Sequence, residues 1–447
     1  MHDFLWEARV NKMPAPIYCF VLFATLALTA CGNDFKDRKL DNLDNIKAKQ
    51  AFTCAYEKDH LPEQPKEADT LFLYARWLQK NNLLKQDTNI YPEIARLYRI
   101  AAANGHYKAN INLQNGMTDG SLEGSIIEVL DLNDQLVKEN IPTGFYNIGY
   151  YIEHGYGYDE NPELALKYFR KSANMGSPAG QFYVGEKLDP ADMAPEVAEK
   201  MLRCAAEQGH GEAAISVAIG YKTLKKRYSD ALISFQLGVK AGSENAASFM
   251  EHGFEGLPST NELYYLGQTK DDERSRRYKA IGAVLGRYSY LKPTVEEIDD
   301  IVPLPPAKLP PWDGSLKWLK MHEANIAPAK PSDELIAKLA KAKGLDPASG
   351  MPLALLKKTE VVPPAPAAIT TPSRVALGTL CHNGLPCPEA GLWVGYFEGQ
   401  KYSHLLSKGQ LMPTIPASIP RSNKLAQWLK GPEKMELAME WQLEKYS

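Results

Sequence analysis

Cysteines are the residues of this sequence whose type and spacing could most directly do chemistry, and the 447-residue chain has six of them. Cys381 and Cys387 enclose His-Asn-Gly-Leu-Pro, a flexible loop short enough for a direct bridge. A zinc site would need two more ligands nearby, and His382 and His404 could only be forced into that role. We therefore predict a disulfide between Cys381 and Cys387, and no metal site.

The sequence lacks the common motifs of catalytic sites. The sequence has no Gly-x-Ser-x-Gly elbow, no His-Glu-x-x-His helix and no Gly-rich phosphate loop. His106-Tyr-Lys108 starts like the His-x-Lys signature of phospholipase D, but Leu113 stands where that signature has an aspartate, and there is no second copy. His106 and His210 each follow a glycine, which favours a structural repeat position. We expect no enzyme activity and no cofactor.

The N-terminal residues read as a secretory leader. Arg9 and Lys12 precede an apolar run from Ile17 to Leu28, and small residues then lead to Cys31. The run is too short to span about 30 Å of hydrocarbon, which disfavours a membrane anchor with an incidental cysteine. The sequence Leu28-Thr29-Ala30-Cys31 resembles the bacterial lipobox.

The lipobox resemblance implies that residues 1–30 are removed and that Cys31 is lipidated as the new N-terminus, followed by a tether over 31–50. Gly32 in place of an aspartate implies the outer membrane, with the protein lipid-anchored and facing the periplasm. In that oxidising compartment, the remaining cysteines are disulfide candidates. Cys54 and Cys204 lie in apolar helical patterns, and each is as compatible with a buried thiol as with half of a bridge.

The balance of charges argues against nucleic acid as a partner. The chain carries 51 basic and 54 acidic residues, for a net charge of -3, without a long basic cluster for a phosphate backbone. We therefore expect no nucleic-acid partner. Its length predicts two or three units or a repeat array.

Internal repeats are the main fold signal. Gly-x-x-x-small recurs at Gly105, Gly176, Gly209 and Gly242, and the last three glycines are 33 residues apart. Large apolar residues stand seven positions before each glycine, on one helical face, and the glycine can take the left-handed conformation that ends a helix. Pro162 and Pro195 mark helix starts. A period in the thirties with paired helices predicts an α-solenoid.

The repeat sequences resemble a known family. Leu164-Ala-Leu-Lys-Tyr-Phe-Arg-Lys-Ser-Ala-Asn-Met-Gly176, preceded by Ile148–Gly157, is similar to the Sel1-like repeat, a relative of the tetratricopeptide repeat. The resemblance implies a mainly α protein that binds other proteins, with a Sel1-like solenoid over 51–290 that includes an N-terminal helical cap. Related helical repeats use the first helix of each pair for binding. That analogy gives these candidate partner-binding residues: Glu163, Lys167, Arg170, Lys171, Lys200 and Arg203.

The stretch of sequence after the repeats is rich in proline. Five of them between Pro303 and Pro311 favour extended backbone, and we predict a proline-rich connector with short helices over 291–374. Val302–Trp318 resembles a segment appended to Sel1-like repeats in bacterial lipoproteins. Its two tryptophans favour a segment packed along the solenoid over an unpacked linker.

The last part, 375–447, is predicted to be a small β module with a C-terminal helix. Leu392–Phe397 and Lys401–Leu406 flank a three-residue loop with Gly399, which is typical of a hairpin. The pattern around Cys387-Pro and Trp393 resembles a compact module of proteins linked to contact-dependent antagonism.

The combination resembles lipoproteins that act as immunity proteins of type VI secretion systems. That resemblance implies a binding protein that neutralises a toxic effector, often a phospholipase, in the periplasm. The alternative is a periplasmic scaffold that organises envelope or signalling proteins. A third possibility is a hydrolase with an unrecognised site.

Overall fold

The computed structural model describes residues 40, 42–190 and 192–359, together with parts of 377–446. The chain divides into two compact units, 1–360 and 361–447. The leader and Cys31 lie outside the described residues. Within the described part of the chain, none of the helices combines the length and the apolar character that crossing a bilayer requires.

The first unit is built from helices that each pack against the next one along the chain. A cap helix α1 precedes five helix pairs in the described residues, and α12 follows them. The bounds are α1 Lys66–Asn82, α2 Tyr91–Ala103, α3 Tyr107–Thr118, α4 Ile126–Lys138, α5 Pro142–Glu153, α6 Pro162–Asn174, α7 Pro178–Leu188, α8 Pro195–Glu207, α9 Gly211–Thr223, α10 Tyr228–Lys240, α11 Glu244–Gly253 and α12 Asp272–Arg287. This stack is the predicted α-solenoid with its helical cap, and α6 and α8 begin at the predicted prolines.

The turn inside each pair has one left-handed residue. Gly105, Gly176, Gly209 and Gly242 have φ values of 88°, 104°, 87° and 92°, as their spacing predicted. The pair α4–α5 has Asn140 there instead, with φ of 55°. Asparagine tolerates this conformation better than other residues with a Cβ, so this pair has the same turn without the glycine signature.

The residue after each turn glycine caps the second helix. Ser177 and Ser243 accept a hydrogen bond from a backbone N–H of the first turn, and the Nδ1 atoms of His106 and His210 do the same at 3.1 and 3.3 Å. This confirms the structural role expected for the repeated histidine. Burial lowers the pKa of both imidazoles, although Asp69 at His106 and Glu212 at His210 act in the opposite direction.

These caps predict acid sensitivity. Because the histidine pKa is lower in the folded state, the unfolded chain binds the proton more readily, so stability is lost as the pH falls through about 6.5. His106→Ser with His210→Ser should retain the caps and reduce the loss of unfolding free energy between pH 7.5 and 5. Alanine at both sites should cost about 1 kcal/mol per cap at pH 7.5. Urea unfolding measures both effects, with the exposed His60→Ser as control; an unchanged pH dependence in the serine variant would contradict the assignment.

The segment 42–60, here called the N-terminal strap, packs on the solenoid. Its first part, 42–50, belongs to the range predicted as a tether. Leu43 and Phe52 are buried in one cluster with Phe145, Tyr168 and Phe169 of α5 and α6. The strap continues through a short 3₁₀ turn, Glu57–His60. The tether expected over 31–50 is therefore wrong from Asn42 onward, because apolar side chains in it bury against the helices.

A disulfide between Cys54 and Cys204 fixes the strap to α8, with a Cα–Cα distance of 5.7 Å. The sequence had left this pair open. The bridge joins residues 150 positions apart, so it constrains a long loop of the unfolded chain.

Breaking this bridge should lower stability strongly. We expect Cys54→Ser with Cys204→Ser to lower the unfolding free energy by about 4 kcal/mol, because long-loop disulfides restrict the unfolded chain most. Guanidinium unfolding with and without reductant measures the effect. The double variant itself is the control, since reductant should no longer change its midpoint. Equal midpoints for oxidised and reduced parent protein would refute the expectation.

After α12 the chain runs back along the solenoid. This return segment, 289–359, contains a 3₁₀ turn Ser289–Leu291, α13 Ile298–Ile301, α14 Lys317–Ala324, α15 Asp333–Ala342 and α16 Leu353–Thr359. Val302 and Leu316 are buried in the core of the last pairs, whereas Ile336 and Leu339 are buried with α1 to α4 at the other end.

Polar contacts hold the return segment at both ends. Arg277 of α12 donates to the carbonyls of Ile301 and Pro310, and its guanidinium lies 5.7 Å from the Trp312 ring. At the first helices, Trp77 donates to Asn325 and Lys338 pairs with Glu67. The packed reading of the tryptophan segment is confirmed. The described part of the predicted connector belongs to the first unit and is not a separate joint.

The second unit contains six described strands. They are β1 Leu380–His382, β2 Gly391–Phe397, β3 Gln400–Leu406, β4 Ile415–Ile419, β5 Glu433–Leu437 and β6 Glu440–Tyr446. The order β1-β6-β2-β3 forms one antiparallel sheet, and β4-β5 forms a second one. The predicted hairpin is confirmed as β2–β3, with Phe397 paired to Gln400, so the connection is one residue shorter than expected.

The predicted C-terminal helix is wrong, because its residues form β6. Trp441 and Leu443 are buried, whereas Gln442 and Glu444 are exposed. This two-residue alternation is that of a strand with one buried face.

Candidate protein-binding surface

The predicted bridge between Cys381 and Cys387 is not formed in the structure, where both are buried thiols. Cys381 lies on β1, paired with Trp441. The Cys387 backbone is bonded to Gly409 and Gln410, and its thiol donates to the Glu389 carbonyl at 3.0 Å. These bonds direct the Cys387 sulfur along its own loop, so closeness in sequence did not lead to pairing.

Arg170, a predicted partner-binding residue, is completely buried. Its guanidinium donates to the carbonyls of Ala48, Gln50 and Ala51 in the N-terminal strap. Burial lowers its pKa to about 10, so it remains charged at neutral pH. The prediction for Arg170 is therefore wrong: it binds this chain's own strap, because its long side chain reaches backbone acceptors beside α6.

The other five candidates stay accessible to different degrees. Glu163 is exposed and lies 3.4 Å from Lys167, which is half-buried. The Lys171 ammonium lies 4.1 Å from the Phe145 ring centre. Lys200 and Arg203 are exposed on α8. Their role in binding stays a prediction.

Replacing Arg170 should destabilise the protein. Arg170→Gln leaves the carbonyls of Ala48, Gln50 and Ala51 without a charged donor, and we expect a loss of about 3 kcal/mol in unfolding free energy and faster proteolysis within 42–53. Lys200→Gln is the control, because Lys200 is exposed one helix pair away. Urea unfolding and limited proteolysis measure both; matching behaviour of the two variants would refute the structural role of Arg170.

The second helices carry a regular row of accessible side chains that the predictions missed. Positions six, seven and ten after each turn residue are half-buried or exposed in all five pairs of the described residues. This second-helix row consists of Ile111, Asn112, Asn115, Tyr146, Asn147, Tyr150, Phe182, Tyr183, Glu186, Ile215, Ser216, Ile219, Ser248, Phe249 and His252.

The composition of this row is unusual for a solvated surface. None of its members is lysine or arginine, and Glu186 is the one carboxylate. Tyr150 is 43% exposed and Ile219 is 38% exposed. Protein interfaces are enriched in aromatic residues and depleted in lysine, so the row has the composition of a protein-binding surface.

The row is held firmly by the residues beneath it. The Tyr183 ring packs 3.9 Å from Phe169, and the Tyr183 hydroxyl donates to Glu153. Burial, followed by Glu153, raises the pKa of Tyr183. Asn147 and Tyr151 both donate to Gln114 of the preceding second helix. These contacts hold Asn147 and Tyr183 of the row in place.

The tyrosines between 150 and 158 divide between core and surface. Tyr151 is buried, and Tyr156 and Tyr158 pack against the core, whereas Tyr150 is exposed and stacks 4.1 Å from the His154 ring. The row could have been found from sequence, because its members have the same offsets from the turns that located the repeats.

One group in the described residues has side chains close enough to hold a metal ion: Glu251, His252 and Glu255. Glu251 forms an ion pair with Lys279 at 2.9 Å, and His252 Nδ1 lies 3.0 Å from Glu255. These partners already occupy the group, so it does not suggest a metal site.

The end of the helical stack and most of the return segment resemble a known protein family. Residues 246–353 match the family model described as a domain of unknown function, DUF6396. That match includes Val302–Trp318, the segment with a family resemblance in the sequence. No curated protein matches the chain.

Three similar solved structures come from Pseudomonas aeruginosa. The protein PA5086 is 28% identical, with 57% of this chain and 96% of that chain covered and a TM-score of 0.46. The immunity protein Pa5087 is 27% identical, with 57% and 95% covered and a TM-score of 0.46. The immunity protein PA5088 is 26% identical, with 57% and 94% covered and a TM-score of 0.47.

Proposed function

We propose that this protein is an immunity protein that binds a toxic protein effector and thereby neutralises it. The observation that carries the proposal is the second-helix row, which offers aromatic, aliphatic and small polar groups without lysine or arginine over five helix pairs of the described residues. Such a surface suits a folded protein partner far better than a small substrate. The Sel1-like repeats and their resemblance to immunity lipoproteins support the same reading.

The location is part of the proposal. The lipobox resemblance at Cys31 supports a lipid anchor at the outer membrane, facing the periplasm. The Cys54–Cys204 disulfide agrees with an oxidising compartment. An effector that attacks the envelope from the periplasm, such as a lipid hydrolase, would be met on its own side of the membrane.

The test is co-expression with the effector encoded by a neighbouring gene and directed to the periplasm. Cells with the intact protein should survive, and the two proteins should be recovered as a stoichiometric complex. Tyr150→Ala with Ile219→Ala should weaken the complex at least tenfold, because aromatic and aliphatic side chains at an interface centre contribute most. Lys200→Ala with Arg203→Ala is the matched control on the first helices.

The outcomes separate the alternatives. Death of protected and unprotected cells alike, without a complex, would refute the immunity function; recovery of resident envelope proteins would then favour a scaffold. Loss of binding in the Lys200 and Arg203 variant alone would assign the surface to the first helices. A Cys31→Ser variant that still labels with palmitate would contradict the proposed anchor.

A further inference from the structure

Gly220 lies inside α9, next to Ile219 of the second-helix row. Glycine destabilises a helix interior relative to alanine, so a helix normally has one where a side chain would clash. A Cβ added to Gly220 would have no atom of the described residues within 4 Å, whereas every other glycine in the described helices has one. Packing within the described part of the chain therefore does not explain a glycine here.

The same position is glycine in two other second helices. Gly116 of α3 and Gly253 of α11 stand, like Gly220, eleven residues after the turn glycine of their pair. A Cβ added to them would lie 2.6 Å from Leu122 Cγ and 2.4 Å from Leu266 Cδ1, respectively. Both leucines are buried. The chain itself thus shows which side chain packs against a glycine at this position: that of a leucine.

The length of the following connection explains why the site at Gly220 is open. Leu122 and Leu266 belong to the connections 119–125 and 254–271, which are long enough to fold back over the second helix. The connection from α9 to α10 is the four residues 224–227, which lead directly into the next helix. Its leucine, Leu224, is 83% exposed. The chain therefore leaves open at α9 a site that it fills at α3 and α11.

The open site is part of a cleft of about 470 Å³ between α8 and α9. Leu202, Val217 and Tyr221 line the cleft and are buried, and the exposed Leu224 lines it as well. Ser216, a member of the second-helix row, also lines it, so the cleft is continuous with the row. The cleft is thus a preformed, largely apolar depression in the proposed binding surface.

The charged groups of the cleft do not call for a charged occupant. Lys225 donates to the Glu199 carboxylate, so these two charges pair with each other. Asp189 and Glu196 are exposed to water. A charged side chain would have to compete with the ion pair or with water, whereas an aliphatic one would contact the apolar walls.

We propose that the cleft at Gly220 receives a leucine side chain from the surface of the protein partner. The inference rests on the proposed binding function and adds the chemistry of one contact that the partner makes. Removal of the leucine from water supplies affinity, and a preformed cleft requires little rearrangement on binding. The glycine is then retained because any side chain at 220 would occupy the space that the partner needs.

The variants for the test fill the cleft from within. Gly220→Leu places a leucine in the site, and Gly220→Ala adds a single methyl group. Both residues are better helix formers than glycine and meet open space, so both variants should unfold at the same urea concentration as the parent or a higher one. A lower midpoint for Gly220→Ala would show that the site is not open and would overturn the inference. The control variant is Ala337→Leu, which adds the same side chain at an exposed position of α15.

The first probe is the effector of the co-expression test. Gly220→Leu should bind it about tenfold more weakly than the parent, because the partner's leucine loses its site. Ala337→Leu should change the affinity less than twofold. Effector that carries photo-leucine should cross-link, on irradiation, to residues 211–223 of the parent. A complex of equal affinity with Gly220→Leu overturns the inference and leaves the proposed function intact.

The second probe does not depend on the effector. N-acetyl-leucinamide, at the millimolar concentrations expected for so small a ligand, should shift the methyl NMR signals of Val217 and Leu224 in the parent and in Ala337→Leu. It should not shift them in Gly220→Leu, and N-acetyl-glycinamide should have no effect. Absence of shifts in the parent, or equal shifts in Gly220→Leu, overturns the inference even where the effector complex fails to form. Self-association of the parent that Gly220→Leu abolishes would assign the cleft to a second copy instead.

Discussion

Close contact between helices at small residues is the constraint on which the rest of the first unit depends. A Cβ added to Gly180 would lie 2.9 Å from the Ala173 backbone nitrogen, and one added to Gly144 would lie 2.8 Å from the Leu136 Cβ. Between pairs, a Cβ added to Gly149 would lie 2.9 Å from a ring carbon of Phe169, and one added to Gly185 would lie 2.8 Å from Leu202 Cγ. These contacts fix how each second helix is rotated, and the rotation decides which offsets face outward. The second-helix row is therefore a consequence of where the small residues must be.

Two other segments of the chain cover further surfaces of the solenoid. The N-terminal strap takes Arg170 and Cys204 on the first helices, and the return segment covers α10 by a bond from Gln236 to the Val302 carbonyl. A repeat array buries its apolar faces only by stacking, so its exposed faces are available for such coverings. The N-terminal strap and the return segment therefore contact polar and charged side chains of the first helices. They leave the second-helix row accessible.

The sequence predicted most of the fold and little of the site, for physical reasons. Turn glycines and prolines act locally, so the helix pairs followed from their spacing, except where Asn140 replaced the glycine. Arg170 and Cys204 are decided by a strap more than a hundred residues away, and no local pattern contains that contact. Leu43 looked like part of a tether because its burial depends on a groove formed by other helices. The second-helix row was readable from the sequence, since its members repeat at fixed offsets, but those offsets had meaning only once the outward face was known.

The coverings also affect how the row can bind. Arrays of helix pairs flex between neighbours, and binding then costs the entropy of fixing them. The strap joins α5, α6 and α8 through Thr143, Arg170 and Cys204, and the return segment joins the last helices to the first through Arg277 and Asn325. Each bond limits changes in the spacing between pairs. The aromatic side chains of the second-helix row have few rotatable bonds and are set at fixed spacing, so they lose little freedom when a partner docks. A partner could then bind tightly through a small number of contacts, because folding has already fixed the spacing of the helix pairs and little entropy is lost on binding.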